Sequence, residues 1–230
     1  MNKTVKVIVE IALFAAIVLL TLLIIRSIMQ PVNFNKQKAY RETVAIQRLK
    51  DVRTLQVAYK SVNGKFTSTV DSLKQFYEKG EMKVVMQIGS ADDSLAWTHT
   101  QQIKAKNKKI TNEQLYELYK KGDKNLVFSV ESKIPVRDTL FNNRPDFCID
   151  SLKYIPFSGK EPLQMEAATK MVSGVVVPLF EARMPYKLLL KGLDNQLRIN
   201  LDAEKRDQNR YEGLQVGSIA APNNNAGNWE

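Results

Sequence analysis

Hydrophobic residues form one continuous run near the start of the chain. From Val7 to Ile25 the sequence is apolar except for Glu10 and Thr21. As a helix, such a run is long enough to cross a hydrocarbon core of about 30 Å, and a helix satisfies its own backbone polar groups there. The pattern therefore predicts a transmembrane helix within residues 1–30. A secretory signal peptide is the alternative, but the run exceeds the usual apolar core of a signal peptide and no small-x-small cleavage site follows it.

After Pro31 the pattern becomes amphipathic. We expect a break over Val32–Gln37 and then a helix from about Lys38 to Asn63. Its apolar residues recur at steps of three or four: Ala45, Leu49, Val52, Leu55, Tyr59 and Val62. The opposite face carries polar and charged residues and is expected to face solvent: Arg41, Gln47, Arg48, Lys50, Asp51, Arg53 and Lys60. A stripe of under three heptads favours packing on the chain's own domain over a coiled coil.

Shorter patterns follow between residues 65 and 124. They predict a helix that ends at Gly80, a buried strand at Lys83–Ile88, a loop over Gly89–Thr100 and a helix opened by a Thr111–Gln114 capping box. A cluster of four lysines precedes that last helix: Lys104, Lys106, Lys108 and Lys109. Such a cluster is either a solvated loop or a contact for anionic lipid or an acidic partner.

Beyond residue 125 the period changes from helical to extended. Short apolar runs separated by turn residues predict an antiparallel meander over residues 125–192. The predicted strands are 126–130, 134–136, 147–149, 152–157, 171–172, 175–180 and 186–190. Ser173–Gly174 is the clearest hairpin turn among them.

The C-terminal region is polar. Asp194 or Asn195 is expected to cap a helix that runs to about Tyr211, and the residues from Gly213 to Glu230 are too poor in apolar side chains to order themselves. Trp229 stands out in this predicted flexible tail, either as an anchor on a partner surface or as an incidental exposed aromatic. The sequence thus predicts an α+β protein in four parts: anchor 1–30, helices with one or two strands 31–124, β-meander 125–192, and polar helix with flexible tail 193–230.

Composition narrows the function classes. The 34 basic and 24 acidic residues give a net charge of +10, but the basic residues are scattered and no nucleic-acid-binding motif accompanies them, so nucleic acid is not an expected partner. The single Cys148 cannot form an internal disulfide, and its apolar neighbours favour a buried position. The only histidine, His99, has too few carboxylates near it for a metal site. No phosphate-binding loop, nucleophile elbow or zinc motif occurs, which argues against an enzyme, a cofactor or a small-molecule substrate.

One resemblance covers residues 8–80. The single glutamate early in the apolar helix, the run Leu49–Tyr59, the turn Asn63–Thr67 and the pair Ser72–Leu73 together resemble type IV pilins and the pseudopilins of type II secretion. The resemblance implies that Glu10 pairs with a neighbouring subunit inside the membrane. Where pilins carry the processing glycine and the first mature residue, this chain has Val5 and Lys6. In plan the chain is also similar to single-span inner-membrane subunits of secretion and motor complexes.

These features together predict a non-enzymatic, single-pass protein of a bacterial inner membrane. Basic residues on the two sides of the span nearly balance, so the short basic leader is the ground for placing the N-terminus in the cytoplasm and the large domain in the periplasm. We expect an assembly subunit of a secretion, pilus-like or motor complex, whose partners are other membrane or periplasmic subunits or further copies of itself. A pseudopilin-like filament subunit and a membrane-tethered module that binds a ligand or peptide are the alternatives.

Overall fold

One helix of 61 residues, α1, spans Lys3–Asn63. The computed structural model describes the backbone of residues 3–230 and the side chains of Val7 and of residues 10–230. The side chains of Lys3 and Lys6, on which the basic leader is predicted, lie outside that part. The predicted break after Pro31 is wrong, because Pro31 lies inside α1. A helical proline removes one hydrogen bond and costs about 3 kcal/mol, but Phe34, one turn later, is already buried in the domain core, and this packing favours continuation of the helix.

The remaining elements follow in short succession. The helices are α2 (Val70–Lys79), α3 (Ser94–Lys106), α4 (Asn112–Lys120), α5 (Val136–Thr139), a 3₁₀ turn at Ile149–Lys153, α6 (Tyr186–Leu189) and α7 (Asn195–Asp207). The strands are β1 (Glu81–Ile88), β2 (Phe128–Pro135), β3 (Gln164–Val172), β4 (Val175–Pro185) and β5 (Gly213–Gly217). The fold class is therefore α+β, as predicted.

The strands form two separate antiparallel sheets. β1 and β2 make a two-stranded ribbon, and the other three strands make a sheet in the order β3-β4-β5. The hairpin at Ser173–Gly174 is confirmed, with Val172 opposite Val175. The predicted meander over residues 125–192 is wrong in extent, because β1 precedes this region and β5 follows it.

Two hydrophobic cores support these sheets. The main core packs α1 and α2 against the three-stranded sheet, and its fully buried members include Leu49, Leu73, Phe180 and Val216. A second core packs α3 and α4 on the β1–β2 ribbon around Ile88, Leu115, Leu126, Phe128 and Val130. We call the part built on the second core, residues 81–135, the distal lobe. The remainder beyond the apolar half of α1 is the main domain.

Several predicted strands are helical instead, and residue spacing explains why. Leu152 and Ile155, three residues apart, are both buried, so this segment forms a 3₁₀ turn and not a strand. Tyr186, Leu189 and Leu190 are buried at helical spacing and belong to α6 or its end. The run Ile134–Val136 is divided between β2 and α5. Apolar content alone did not separate these short helices from strands.

Of the other local predictions, the helix caps are confirmed, whereas one loop and the burial of one strand are wrong. The capping box of Thr111 and Gln114 is confirmed, and Asp194 caps α7 by accepting a hydrogen bond from the Leu197 backbone. The loop predicted over Gly89–Thr100 is wrong, because Asp93 caps α3 and the helix buries Ala96 and Thr100. Strand β1 is mostly exposed and not buried, since its ribbon is covered on one face only.

The predictions for Cys148 and the C-terminal tail are also wrong. Cys148 is exposed, because it precedes the 3₁₀ turn and not a buried strand. The tail is ordered by pairing with the sheet: Leu214 and Val216 are buried in β5, and Val216 also forms a bridge to Gly227. Backbone pairing and two apolar side chains thus order a segment that its composition predicted to be flexible.

Candidate assembly surface

Residues 10–30 of α1 are mostly apolar, and all of them are exposed on their own chain; we call this stretch the exposed half of α1. The exposed fractions of its large side chains run from 43% at Val18 to 69% at Phe14. Within the described residues, α1 is the one helix long and apolar enough to cross a membrane. Its most apolar window has a mean hydropathy of 2.7. An apolar surface of this extent is unfavourable in water, so it requires lipid or partner helices around it.

The two polar residues of the run Val7–Ile25 behave differently. The Thr21 hydroxyl donates to the Ile17 carbonyl oxygen at 2.9 Å, so its polar group is satisfied within the helix. Glu10 is exposed, and its carboxylate is free to meet a neighbouring helix or the headgroup region. Ionisable groups inside membrane helices commonly have partners or functions because they are costly to leave in lipid.

The second half of α1 is packed into the main domain. The predicted apolar stripe is its buried face: Ala45, Leu49, Val52 and Leu55 have no exposed surface. The stripe ends near the C-terminus of the helix, where Val62 is 46% exposed. The helix therefore runs without interruption from an exposed apolar segment into the centre of a folded core.

Arginines on the predicted solvent face hold this half of α1 in place. Arg41 donates to the carbonyl oxygens of Leu189 and Lys191 at 3.0 and 2.8 Å. These carbonyls lie at the end of α6, where backbone acceptors lack helical partners and carry a partial negative charge. Arg41 thus joins α1 to the end of a short helix through its single nitrogen Nη1.

Arg48, seven residues after Arg41 on α1, also donates to two backbone carbonyl oxygens. It donates to the Ser151 and Tyr154 carbonyl oxygens, both at 2.9 Å, at the end of the 3₁₀ turn. Burial lowers the pKa of the Arg48 guanidinium from its usual value, in the direction expected for a cation removed from water. The prediction that Arg41 and Arg48 face solvent is therefore wrong.

A buried carboxylate adds a third connection. Asp51, only 5% exposed, accepts hydrogen bonds from Arg144 and from Gln47. The hydrogen bond to Asp51 raises the pKa of Arg144, which stabilises its charged form. Asp51 also belongs to the face that the sequence pattern predicts to be exposed, and that prediction is wrong because its partner is brought there by the fold.

Tyr186 connects α1 to the end of the three-stranded sheet. Its hydroxyl donates to a Glu42 carboxylate oxygen at 2.6 Å, and the ring is 3% exposed. Burial first, and then the hydrogen bond to Glu42, raises the pKa of Tyr186 well above its usual value. Lys38 Nζ lies 3.4 Å from the same Glu42 oxygen. Glu42 therefore contacts both Tyr186 and Lys38.

Trp229 packs against the main core of its own chain. The adjacent Glu230 forms an ion pair with Arg53 at 2.7 Å, and the Asn228 backbone donates to the Gln215 carbonyl. Trp229 is therefore placed on an ordered segment beside α1, not at the end of a flexible arm.

The lysine cluster lies on the distal lobe. Lys104 and Lys106 occupy the last turn of α3, and Lys108 and Lys109 follow in the connection to α4. On the same lobe, His99 Nε2 is 2.9 Å from an Asp123 oxygen, so the histidine connects α3 to the segment after α4. Among the described residues no group of three or more histidine, cysteine or carboxylate ligands is assembled.

An open apolar groove lies where the distal lobe meets α1. Its volume is about 650 Å³, and Val57 and Ala58 of α1 face Met82 and Leu140 across it. Arg53, Thr54, Ser61, Asn224 and Asn225 complete the lining. Most of its exposed lining is apolar, so the groove is suited to holding an apolar group.

Comparison with known proteins gives no relative for this chain, since no family model, no curated protein and no solved structure matches it.

Proposed function

We propose that this protein is a non-enzymatic, single-pass assembly subunit of a bacterial envelope complex, with its N-terminus in the cytoplasm and its domain in the periplasm. One observation carries the proposal: the exposed apolar half of α1 continues unbroken into the buried core of the domain. A continuous helix transmits its position and tilt from the membrane to the domain, whereas a flexible linker would not. This is the geometry that a subunit needs when partner helices fix it inside a larger machine.

Gentle purification tests this proposal directly. We expect the full-length chain, extracted in a mild detergent, to bring down other membrane or periplasmic proteins or further copies of itself. A monodisperse single chain under these conditions would contradict an assembly role. A reporter fused after Glu230 tests the orientation separately, and a cytoplasmic reporter would overturn the periplasmic placement.

Glu10 gives the proposal its sharpest variant pair. Glu10→Gln removes the negative charge, and Glu10→Asp retains it on a side chain shorter by one methylene. We expect both variants to insert into the membrane, and only Glu10→Gln to lose partners on purification. If both variants keep every partner, Glu10 has no role in assembly.

A pseudopilin-like filament subunit is a second candidate. It is favoured by the long exposed half of α1, which offers the apolar side chains of residues 11–29 to neighbouring copies. Filament subunits of this kind are processed before assembly, so the mass of the mature N-terminus tests the candidate. A chain that begins at Met1 in the cell argues against it.

A membrane-tethered binding module is a third candidate, and the apolar groove favours it. Val57, Met82 and Leu140 would receive an apolar side chain from a peptide or ligand. Leu140→Asp places a charge in the groove and should abolish such binding. If the variant leaves all captured partners in place, the groove is not the binding site.

A further inference from the structure

The main domain begins at the membrane end of α1 without a spacer. Met29 is the last large residue of the exposed apolar run before Pro31. The next residue, Gln30, donates a hydrogen bond to Asp194 at the start of α7, and Phe34 is already buried in the main core. At 1.5 Å per residue, Phe34 lies only about 8 Å above Met29 along the helix axis. The base of the domain therefore lies next to the surface of the bilayer.

A basic and aromatic surface occupies one side of this base. Tyr40 and Phe157 are 61% and 41% exposed, and their ring centroids are 5.9 Å apart. The Arg41 guanidinium lies 4.9 Å from the centre of the Phe157 ring. We call this surface the basal patch, and it consists of Lys36, Tyr40, Arg41, Phe157, Lys160 and Lys191.

Two of the three lysines of the basal patch, Lys160 and Lys191, lie at the same turn of the chain. Lys191 donates to the Ser158 carbonyl oxygen at 3.1 Å, and its own carbonyl accepts from Arg41. Lys160 is exposed on the turn that contains Ser158. Lys36 lies one helical turn below Tyr40, on the membrane side. The patch is thus one contiguous surface built from α1, the segment 157–160 and the end of α6.

The charge of the patch is positive and largely uncompensated. Lys36, Lys160 and Lys191 are exposed, and within the described part of the chain none of them forms an ion pair. Two carboxylates lie near: Glu161 follows Lys160, and Asp194 is occupied by Gln30 and the Leu197 backbone. Four cations against two carboxylates favour an anionic surface opposite.

The patch lies just above the headgroup layer, within reach of its lysine side chains and of electrostatic attraction. Lys36 lies about 10 Å and Tyr40 about 16 Å above Met29 along α1. The polar layer is about 6 Å thick on each side of the bilayer, and lysine side chains extend toward it while their stems stay packed. Electrostatic attraction acts over about 8 Å at physiological salt, and the usual tilt of about 20° brings one side of a domain closer to the lipid. Tyrosine and basic residues are the side chains typical of this interface.

We infer that the basal patch docks the main domain on anionic lipid headgroups of the bilayer that α1 enters. The inference rests on the membrane insertion proposed above. Docking fixes the tilt of α1 and the orientation of the domain before any partner binds. The lysines of the distal lobe are a natural contrast, because that lobe meets α1 near Ala58 and Ser61, close to the far end of the helix.

The contrast provides a matched test. Full-length protein is placed in nanodiscs that contain phosphatidylcholine and anionic phosphatidylglycerol, and the lipids it retains are counted by native mass spectrometry. The basal variant carries Lys36→Gln, Lys160→Gln and Lys191→Gln. The control variant carries Lys106→Gln, Lys108→Gln and Lys109→Gln. Both lose three exposed charges, and circular dichroism checks that both stay folded.

We expect wild type to retain phosphatidylglycerol in preference, and the basal variant to lose that preference by about fivefold for each lysine. The control variant should retain lipids as wild type does. Equal behaviour of the two variants would overturn the inference. Extraction of the wild-type chain from vesicles by alkaline carbonate would instead refute the membrane insertion on which it rests, so the two failures are distinguishable.

Discussion

The two halves of α1 are the same helix in opposite surroundings. From Ile11 to Met29 its large side chains are exposed, whereas Leu49, Val52 and Leu55 have no exposed surface. Both halves contain many leucine, isoleucine and valine residues, so apolarity does not distinguish them. The two halves differ in how these side chains are distributed. In the first half they lie all round the helix, and in the second half they recur on one face. A helix that is apolar all round suits a membrane or the core of a larger assembly, whereas a helix with one apolar stripe packs that face on a domain.

The largest expected effect compares one substitution in both halves. Leu49→Ala leaves a cavity in the main core and should lower the free energy of unfolding by about 2–5 kcal/mol. Leu20→Ala, in the exposed half, should leave the stability of the domain unchanged. Urea unfolding of both variants in detergent measures the difference. It is followed by tryptophan fluorescence in a Trp97→Phe background, so that Trp229 beside the main core is the remaining reporter. If Leu20→Ala is as destabilising as Leu49→Ala, the exposed half also packs on the domain and the comparison fails.

Removing the partner of Asp51 has the next largest effect. In Arg144→Ala the carboxylate stays buried and keeps only Gln47, so we expect a loss of about 1–3 kcal/mol. The double variant Asp51→Leu, Arg144→Leu removes both charges and should recover part of that loss. Thermal unfolding of the two variants checks this. If the double variant loses more than Arg144→Ala, the pair itself stabilises the fold and the single change does not act through an unpaired charge.

The arginine contacts should be sensitive to side-chain length. Arg48 donates to both carbonyl oxygens from one nitrogen, Nη1. Arg48→Lys keeps the charge, but its Nζ lies one bond closer to the backbone than Nη1, so we expect a loss of about 1–2 kcal/mol. Lys50→Met, two residues away on the exposed surface, is the control and should change stability little. Chemical unfolding distinguishes them. If Arg48→Lys leaves the free energy of unfolding unchanged, a positive charge near the 3₁₀ turn is sufficient for stability.

The same comparison explains what the sequence could and could not predict. The apolar run and the Leu49 stripe are local patterns, as are the Thr111 capping box and the Ser173–Gly174 hairpin. The structure confirms the helix at the first two, the capping box and the hairpin. The roles of Arg41 and Arg48 depend on carbonyl groups more than 100 residues away, and no periodicity reports such a partner. The tail was mispredicted for the same reason, because β5 is ordered by pairing with β4. The sequence therefore predicts the exposed half of α1. The contacts that hold the other half in the main domain follow only from the fold.

Alkaline pH should weaken the packing of the buried half of α1 and leave the exposed half unaffected. Tyr186 and Tyr211 have pKa values raised by burial, that of Tyr211 to about 12. An unfolded tyrosine ionises near pH 10, so above that pH the folded state holds protons that the unfolded state has released, and stability falls as pH rises. Tyr186→Phe should cost about 1 kcal/mol at neutral pH, through the lost hydrogen bond to Glu42. It should also flatten the decline above pH 10, which unfolding at stepped pH measures. Leu20→Ala removes no titrating group and should retain the wild-type dependence of the free energy of unfolding on pH. If Tyr186→Phe also leaves this dependence unchanged, Tyr186 is not held neutral by its burial against α1.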